Sequence, residues 1–431
     1  MVLQRMRATS YLRRTVSDPF SRRRTTMPYT LGLSSQPKDL YKKLIMTGNS
    51  LSIIEDEPIP VFTFQSDIFA IFEILTSQFN ILLIFAPFGM LSYYLNWGPL
   101  ATFWLNFIAL IPLANLLGIL TEELALHTGE VIGGLLNATF GNAVEMILTV
   151  QGIRAGLFTV VQGTLLGSIL SNLLLILGMA FFAGGLFHHV QKFNEKGASF
   201  STSLLMLSCM AITIPTIVAQ VHQSQYSTLM ISRLTALLLS FTYVLFLFFQ
   251  LYTHINLFRE EDLSVLDGNN FYGRRIECPS ISWQIGVILI LISTTLISLL
   301  SEYLVESISG FVCEWGFSEN FIGVILLPLV GNAAEHMTAV SVAIKNKVDL
   351  TMGVAVGSST QIALFVVPFS VLAGWVLGQP MTLSFTPVSA MILMLANLIV
   401  IGIVQDGESN WFEGSLLIIS YCIVAVVYWY V

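Results

Sequence analysis

The sequence predicts an all-α polytopic membrane protein with eleven transmembrane helices, one leading helix plus two inverted five-helix repeats. Three observations predict it. The chain of 431 residues is 55% hydrophobic and only 10% charged, with mean hydropathy +0.78, a balance that a water-soluble domain of this length would not tolerate. Eleven apolar stretches near or above the twenty residues that cross a bilayer lie at about 79–96, 99–120, 131–151, 159–186, 199–219, 229–256, 281–305, 319–343, 350–377, 381–404 and 413–431. A polar-and-apolar signature also occurs twice, Gly141-Asn142-Ala143-Val144-Glu145 and Gly331-Asn332-Ala333-Ala334-Glu335, each followed at a fixed distance by Gly-Ser at Gly167-Ser168 and Gly357-Ser358.

The segments follow in order. Residues 1–74 read as a basic, largely disordered tail on the cytosolic side. Its first 38 residues hold seven arginines and one acid, Asp18, a composition that also fits a mitochondrial transit sequence. Pro19, Pro28, Pro37, Pro58 and Pro60 interrupt any long amphipathic helix and no apolar signal core is present, so the cytosolic tail is the favoured reading. The leading helix falls in 75–98, the first repeat in 99–256, a cytosolic linker with a short acidic segment in 257–280 and the second repeat in 281–431. Lys and Arg test this layout, because they accumulate in cytoplasmic loops. With a cytosolic N-terminus, seventeen of the nineteen fall on that side, and only Arg154 and Arg233 on the other. The C-terminus then emerges on the far side.

Five positions pair at one constant offset of 190 residues: Gly133 with Gly323, Gly141 with Gly331, Glu145 with Glu335, Gly163 with Gly353 and Ser168 with Ser358. Helix-packing glycines explain some of these and leave the paired glutamates unexplained. An odd number of spans per half turns the second copy over, the architecture in which a site forms near the midplane between the halves.

A carboxylate at the centre of a membrane helix costs roughly 2.5 to 3.5 kcal/mol, so Glu145 and Glu335 are expected to face the protein interior. Spacings of three and four place Asn142 and Gly141 on the face of Glu145, and Asn332 and Gly331 on that of Glu335. The glycines are expected to let another backbone approach. Carboxylate, amide and carbonyl oxygens are the hard set that Ca²⁺ takes, and Ser168, Ser171, Ser358 and Gln361 add neutral oxygens. Protons and Ca²⁺ would compete for the two carboxylates. His336, which titrates in the physiological range, is a candidate proton relay; it stands one residue off the glutamate face, its counterpart is Met146, and helix packing serves equally well for it.

Glu122, Glu123 and Glu302 either line an entrance or are ordinary interfacial carboxylates; Glu260 and Glu261 lie in the linker. Cys209, Cys278, Cys313 and Cys422 show no spacing for a disulfide framework or zinc site. Oxygen ligands leave the ion open among Ca²⁺, Mn²⁺ and Na⁺. A cation channel with a glutamate ring is a second class, disfavoured because one chain supplies both carboxylates. An intramembrane hydrolase is a third, disfavoured because no His pair stands at metal spacing in the spans.

The residues resemble the cation/proton exchangers of the calcium/cation antiporter superfamily, and within it the fungal vacuolar Ca²⁺/H⁺ exchangers. The carrying motifs are Asn137-Ala138-Thr139-Phe140-Gly141-Asn142-Ala143-Val144-Glu145, Gly331-Asn332-Ala333-Ala334-Glu335-His336, Gly353-Val354-Ala355-Val356-Gly357-Ser358-Ser359 and Asp406-Gly407-Glu408-Ser409-Asn410-Trp411, within roughly 75–431. The resemblance implies an antiporter, not an enzyme, that moves Ca²⁺ into an acidic organelle in exchange for H⁺ by alternating access. It maps the essential glutamates to Glu145 and Glu335, and the remaining site to Asn142, Asn332, Ser168, Ser171, Ser358, Gln361 and His336. It implies a vacuolar or other acidic endomembrane with a lumenal C-terminus. The partners it implies are Ca²⁺ or Mn²⁺, H⁺ and the bilayer, with no cofactor and no nucleic acid. Relatives often carry a strongly acidic helix between the sixth and seventh spans; here it is diluted to Arg259-Glu260-Glu261-Asp262.

Overall fold

The computed structural model describes residues 46–47, 50–51, 64–76, 80–222, 224–254 and 279–430. Residues 1–59 form one unit, within which β1 (Met46–Thr47) pairs antiparallel with β2 (Ser50–Leu51). Residues 60–431 form the other. Most of the basic tail and of the linker, including Glu260 and Glu261, lies outside the described residues.

The second unit is helical. In chain order it holds α1 (Phe64–Leu75), α2 (Phe85–Tyr94, preceded by a 3-10 turn), α3 (Pro99–Thr128), α4 (Glu130–Phe140), α5 (Ala143–Arg154), α6 (Phe158–Phe187), α7 (Glu195–His222) and α8 (Gln225–Thr253). There follow α9 (Trp283–Trp315), α10 (Glu319–Gly331), α11 (Ala333–Ile344), α12 (Val348–Val376), α13 (Pro387–Val404) and α14 (Trp411–Tyr430). Eight of the described helices are long and apolar enough to cross a membrane, and two bent pairs, α1 with the α2 segment and α10 with α11, raise the number to ten. Leu234, Leu237, Leu238, Phe241, Val244, Leu245 and Phe248 of α8 are all exposed. An apolar surface of that extent needs lipid rather than water to cover it.

Several helices differ from the bounds read in the sequence. α3 continues past residue 120 to Thr128, where Gly129 at φ 82° stops it, so Glu122 and Glu123 sit inside its last two turns. α1 occupies a stretch expected to belong to the tail. Its apolar residues alternate with Gln65, Asp67 and Glu73, and continuous hydrophobicity, the signal that locates spans, does not register an amphipathic helix.

Contacts between the halves repeat in pairs. α3 packs along α9, and α7 along α13. α6 packs against α14, as α12 packs against α8; α6 meets α10 and α11, as α12 meets α5. Exchanging the halves carries the α6–α14 contact into that of α12 with α8 and the α6–α11 contact into that of α12 with α5, and returns the α3–α9 and α7–α13 contacts to themselves. Gly163 on α6 and Gly323 on α10 allow their helices to meet backbone to backbone, since a methyl group on either would stand 3.2 Å from the Cα of the other. Beside a small cluster that joins α4, α7, α8 and α12, the core falls into two large ones. One joins α3, α9, α1 and parts of α5 and α10, with Phe103 stacked on Phe311 at 4.0 Å. The other joins α6, α7, α11, α12, α13 and α14.

Short polar bonds sort the loops into two sets. In one, His188 and Gln191 after α6 bond the carbonyls of Ile344 and Ala343, and β3 (Gln191–Lys192) pairs with β4 (Glu408–Ser409) before α14. In the other, Gln162 near the start of α6 donates to Thr382 and Ser384 carbonyls after α12, Thr216 and Ser232 accept from that same loop, and Ser318 before α10 donates to Tyr428 O near the end of α14.

Candidate cation site

Each signature lies where a helix is broken. α4 ends at Phe140 and α5 starts at Ala143, leaving Gly141 and Asn142 between them; α10 ends at Gly331 and α11 starts at Ala333 after a 61° bend at Asn332. Asn142 (φ −108°, ψ 15°) and Asn332 (φ −89°, ψ 1°) are the N-caps, so Glu145 and Glu335 occupy the first turns of the new helices. The expectation of one continuous face through Gly, Asn and Glu is corrected here, since the break separates glycine from glutamate. A half-helix N-terminus directs unpaired backbone N–H groups and a partial positive charge toward the carboxylates, which a continuous helix would not offer.

The asparagines do not cap their own helices by side chain. Asn142 Nδ2 donates to Ala138 O at 2.9 Å and across the halves to Gln361 Oε1 at 3.1 Å. Asn332 Nδ2 reaches Ser168 O on α6 at 3.4 Å. Both amide N–H groups are thereby turned to protein acceptors, the orientation that leaves an amide oxygen for a cation.

Glu145 is 5% exposed, and its Oε2 is buried without a hydrogen-bond partner. Glu335 Oε1 accepts from Ser358 Oγ at 2.6 Å, while its Oε2 is buried and unbonded. The two carboxylates are close enough to repel each other. Gly331 makes room for this approach: a methyl group there would overlap Glu145 Oε1. The glycine of the second signature thus receives the glutamate of the first, where the sequence suggested a backbone neighbour. Gly141 has no reciprocal role, because a methyl group on it would collide with Asn137 O of its own helix.

Buried polar atoms without partners are costly, and they gather here. Ser168 Oγ, both amide atoms of Asn172, and Glu145 and Glu335 Oε2 are all in this state. Asn172 is a residue that the repeat search passed over. It is fully buried beside Glu335, and the residue at the 190 offset is Ile362, so duplication gave no signal; a lone amide in an apolar run was the only clue. Ser171 instead neighbours Tyr421 of α14, though neither hydroxyl makes a bond of good geometry. The backbone widens to π-helical turns at Ser171–Ile176, Gly353–Gly357 and Ile362–Val366, a departure that frequently marks functional sites.

The His336 ring Nδ1 lies 2.6 Å from Asn332 O, so that nitrogen carries a proton, and Nε2 is left buried and unbonded. The possible entrance acids lie elsewhere. Glu123 accepts from Ser280 N and Oγ at 2.7 and 2.8 Å, a bond that fastens the approach to α9. Glu122 is exposed on the same turn of α3. Glu302 lies near Tyr93 and Tyr303 on α9. Among the described residues, no three His, Cys, Asp or Glu side chains converge to hold a metal ion. What converges is two carboxylates with neutral oxygens, a set that suits a transient divalent cation better than a resident one.

Residues 98–252 and 285–430 match the sodium/calcium exchanger protein family. The chain is 42% identical over 361 residues to a vacuolar cation/proton exchanger 2 of Oryza sativa, covering 82% of this chain and 81% of that protein. It is 39% identical over 364 residues to a vacuolar calcium ion transporter of Schizosaccharomyces pombe, covering 83% and 86%. Among solved structures it is similar to native YfkE, with TM-score 0.70, 34% identity and coverage of 82% of this chain and 100% of that one. It shares the fold of an H⁺/Ca²⁺ exchanger CAX, with TM-score 0.61 at 15% identity over 85% and 93%.

Proposed function

The chain belongs to the sodium/calcium exchanger protein family, secondary transporters rather than enzymes, and from that premise we propose that it moves Ca²⁺ out of the cytosol into an acidic organelle in exchange for H⁺. Glu145 and Glu335 bind Ca²⁺ and protons competitively, helped by Asn142, Asn332, Ser168, Ser358, Gln361 and Asn172. The observation that carries this reading is the pair of buried, mutually close glutamates at two half-helix N-termini, each with an unsatisfied oxygen. Divalent Ca²⁺ neutralises both; without it, protons must.

The same competition gives antiport by alternating access. If two unprotonated, unpaired carboxylates cannot be enclosed in a low-dielectric interior, the site reorients only when loaded with Ca²⁺ or with protons. A thousandfold Ca²⁺ gradient costs about 4.1 kcal/mol, and each proton crossing two pH units releases about 2.7 kcal/mol, so two protons per Ca²⁺ suffice. The eleven-span, inverted-repeat layout is supported by the two helix breaks at matching residues, by the contacts that exchange with the halves, and by loop bonds that join only loops of one expected side. In it α4 and α5 together make the third span. The vacuolar relatives support an acidic endomembrane location, and the Lys and Arg distribution supports a cytosolic N-terminus and lumenal C-terminus.

The test is Ca²⁺ uptake into acidified vesicles holding the purified chain. Uptake is expected to collapse with the pH gradient and to be abolished in Glu145→Gln and in Glu335→Gln at normal expression. Uptake that ignores the pH gradient but needs Na⁺, or robust transport by either variant, would overturn the assignment; selective Mn²⁺ uptake would move the substrate within the same mechanism.

A further inference from the structure

Ser280, Ile281 and Ser282, the three residues that lead into α9, are held from three directions. Glu123 on α3 accepts from Ser280 N and Oγ at 2.7 and 2.8 Å. His127, one turn further along α3, bonds Ile281 O through Nε2 at 2.7 Å. Asp67 on α1 accepts from Ser282 N and Oγ at 2.8 and 3.0 Å. Asp67 is 4% exposed, and a carboxylate buried to that degree on an exposed helix is costly unless its bonds are made.

α1 also packs on the protein through apolar side chains. Asp67, Ala70 and Ile74 are buried against the protein, at a helical spacing of three and four. The opposite face carries Ile68, Phe69, Phe72 and Leu75, all exposed, Phe72 at 65%. Its axis stands at 91° to the Asn80–Tyr94 segment, and Asn80 Nδ2 donates to Ile74 O at 2.5 Å, which bonds the two segments to each other. Ile81, Ile84, Phe88 and Leu91 are likewise exposed on the segment that follows. That segment is the leading span of the proposed topology. A helix perpendicular to a span lies in the membrane plane, and an exposed apolar face on a helix next to a span has the bilayer as its natural cover.

We propose that α1 is an interfacial helix, seated with Ile68, Phe69, Phe72 and Leu75 in the headgroup and acyl boundary of the cytosolic leaflet, and that Asp67 ties it to the start of α9. The occupant of the face is lipid. Seating α1 then fixes the start of α9 against the end of α3, the two longest-contacting helices of one core cluster, and helps to set the rate at which they move. The placement is independent of which ion the chain carries, although the rate effect rests on the transport reading above.

The test uses the full-length chain in phosphatidylcholine vesicles, with its four native cysteines replaced by alanine and a nitroxide attached at Ile68→Cys, Phe69→Cys, Phe72→Cys or, in an exposed loop, Lys347→Cys. Labels at 68, 69 and 72 are expected to collide with dissolved oxygen several-fold more than with an aqueous nickel chelate, and the label at 347 to show the reverse. Equal aqueous accessibility at all four positions would overturn lipid seating. So would shielding of 68, 69 and 72 from both reagents, the pattern of a second copy or a soluble partner. In unlabelled protein, Ser282→Ala and Asp67→Asn are each expected to slow Ca²⁺ uptake at least twofold at unchanged half-saturating Ca²⁺, and to mobilise the nitroxide at 72 when combined with it. Parental rates and parental spectra in both variants would overturn the tether, whatever the labels say of the lipid. An inactive parent chain with lipid-accessible labels would count against the transport reading and leave the seating intact.

Discussion

At the scale of single residues, the proposed function rests on oxygens that lack protein partners. Glu335 keeps one oxygen on Ser358 and leaves the other bare, so Ser358→Ala removes an orienting bond while leaving the charge. A hydrogen bond to a charged group is worth about 1.5 kcal/mol at the low end, roughly tenfold in affinity. Ser358→Ala is therefore expected to raise half-saturating Ca²⁺ about tenfold with little change in maximal rate, as measured by ⁴⁵Ca²⁺ uptake. Asn172→Leu, which preserves volume and removes the amide, is expected to cut uptake at least tenfold at normal expression; wild-type uptake would place Asn172 outside the site. Under the proposed sharing of the carboxylates by protons and Ca²⁺, Ca²⁺ affinity measured without a pH gradient is expected to weaken as pH falls. Both glutamates were legible because they occur twice. Asn172 was not, because its partner position is Ile362 and its role comes only from standing beside Glu335.

At the scale of helices, the breaks matter more than the spans. Gly331 is held to glycine by the Glu145 carboxylate, whereas nothing stands within 4 Å of a methyl group at Gly353. Gly331→Ala is accordingly expected to lose at least tenfold in uptake and Gly353→Ala to stay within twofold, although both glycines belong to repeated signatures. Gly163→Leu would wedge α6 from α10 at their 3.2 Å approach; overpacking of this kind costs about 1 to 3 kcal/mol, to be seen as a melting temperature several degrees lower in detergent. The sequence located these glycines and misread two of their neighbours. Spacing arguments assume an unbroken helix, and nothing in Gly-Asn-Ala announces that the chain bends 61° there. Amphipathic α1 was passed over for the complementary reason, since its apolar side chains are interrupted by Gln65, Asp67 and Glu73.

At the scale of the whole molecule, loop pairing and charge count meet in one topology. Lys192 and Lys345 stand in the set of loops joined by Gln191 and His188, and Ala155 and Glu314 adjoin the opposite set. Single cysteines at Lys192 and Lys345 are expected to react with an impermeant maleimide from the side of the N-terminus, and those at Ala155 and Glu314 only from the other; labelling of all four from one side would break the proposed span count. The sequence by itself determined the membrane class, the family and the two glutamates, because hydrophobic length and a repeated signature are properties of linear order. Only the tertiary structure decided that each signature is a helix break, that Gly331 houses Glu145, that Asn172 belongs beside Glu335 while Ser171 turns to Tyr421, and that Glu123 bonds the residues leading into α9. Those facts depend on which residues from distant parts of the chain are pressed together, and close packing between helices is not written in the periodicity of any one of them.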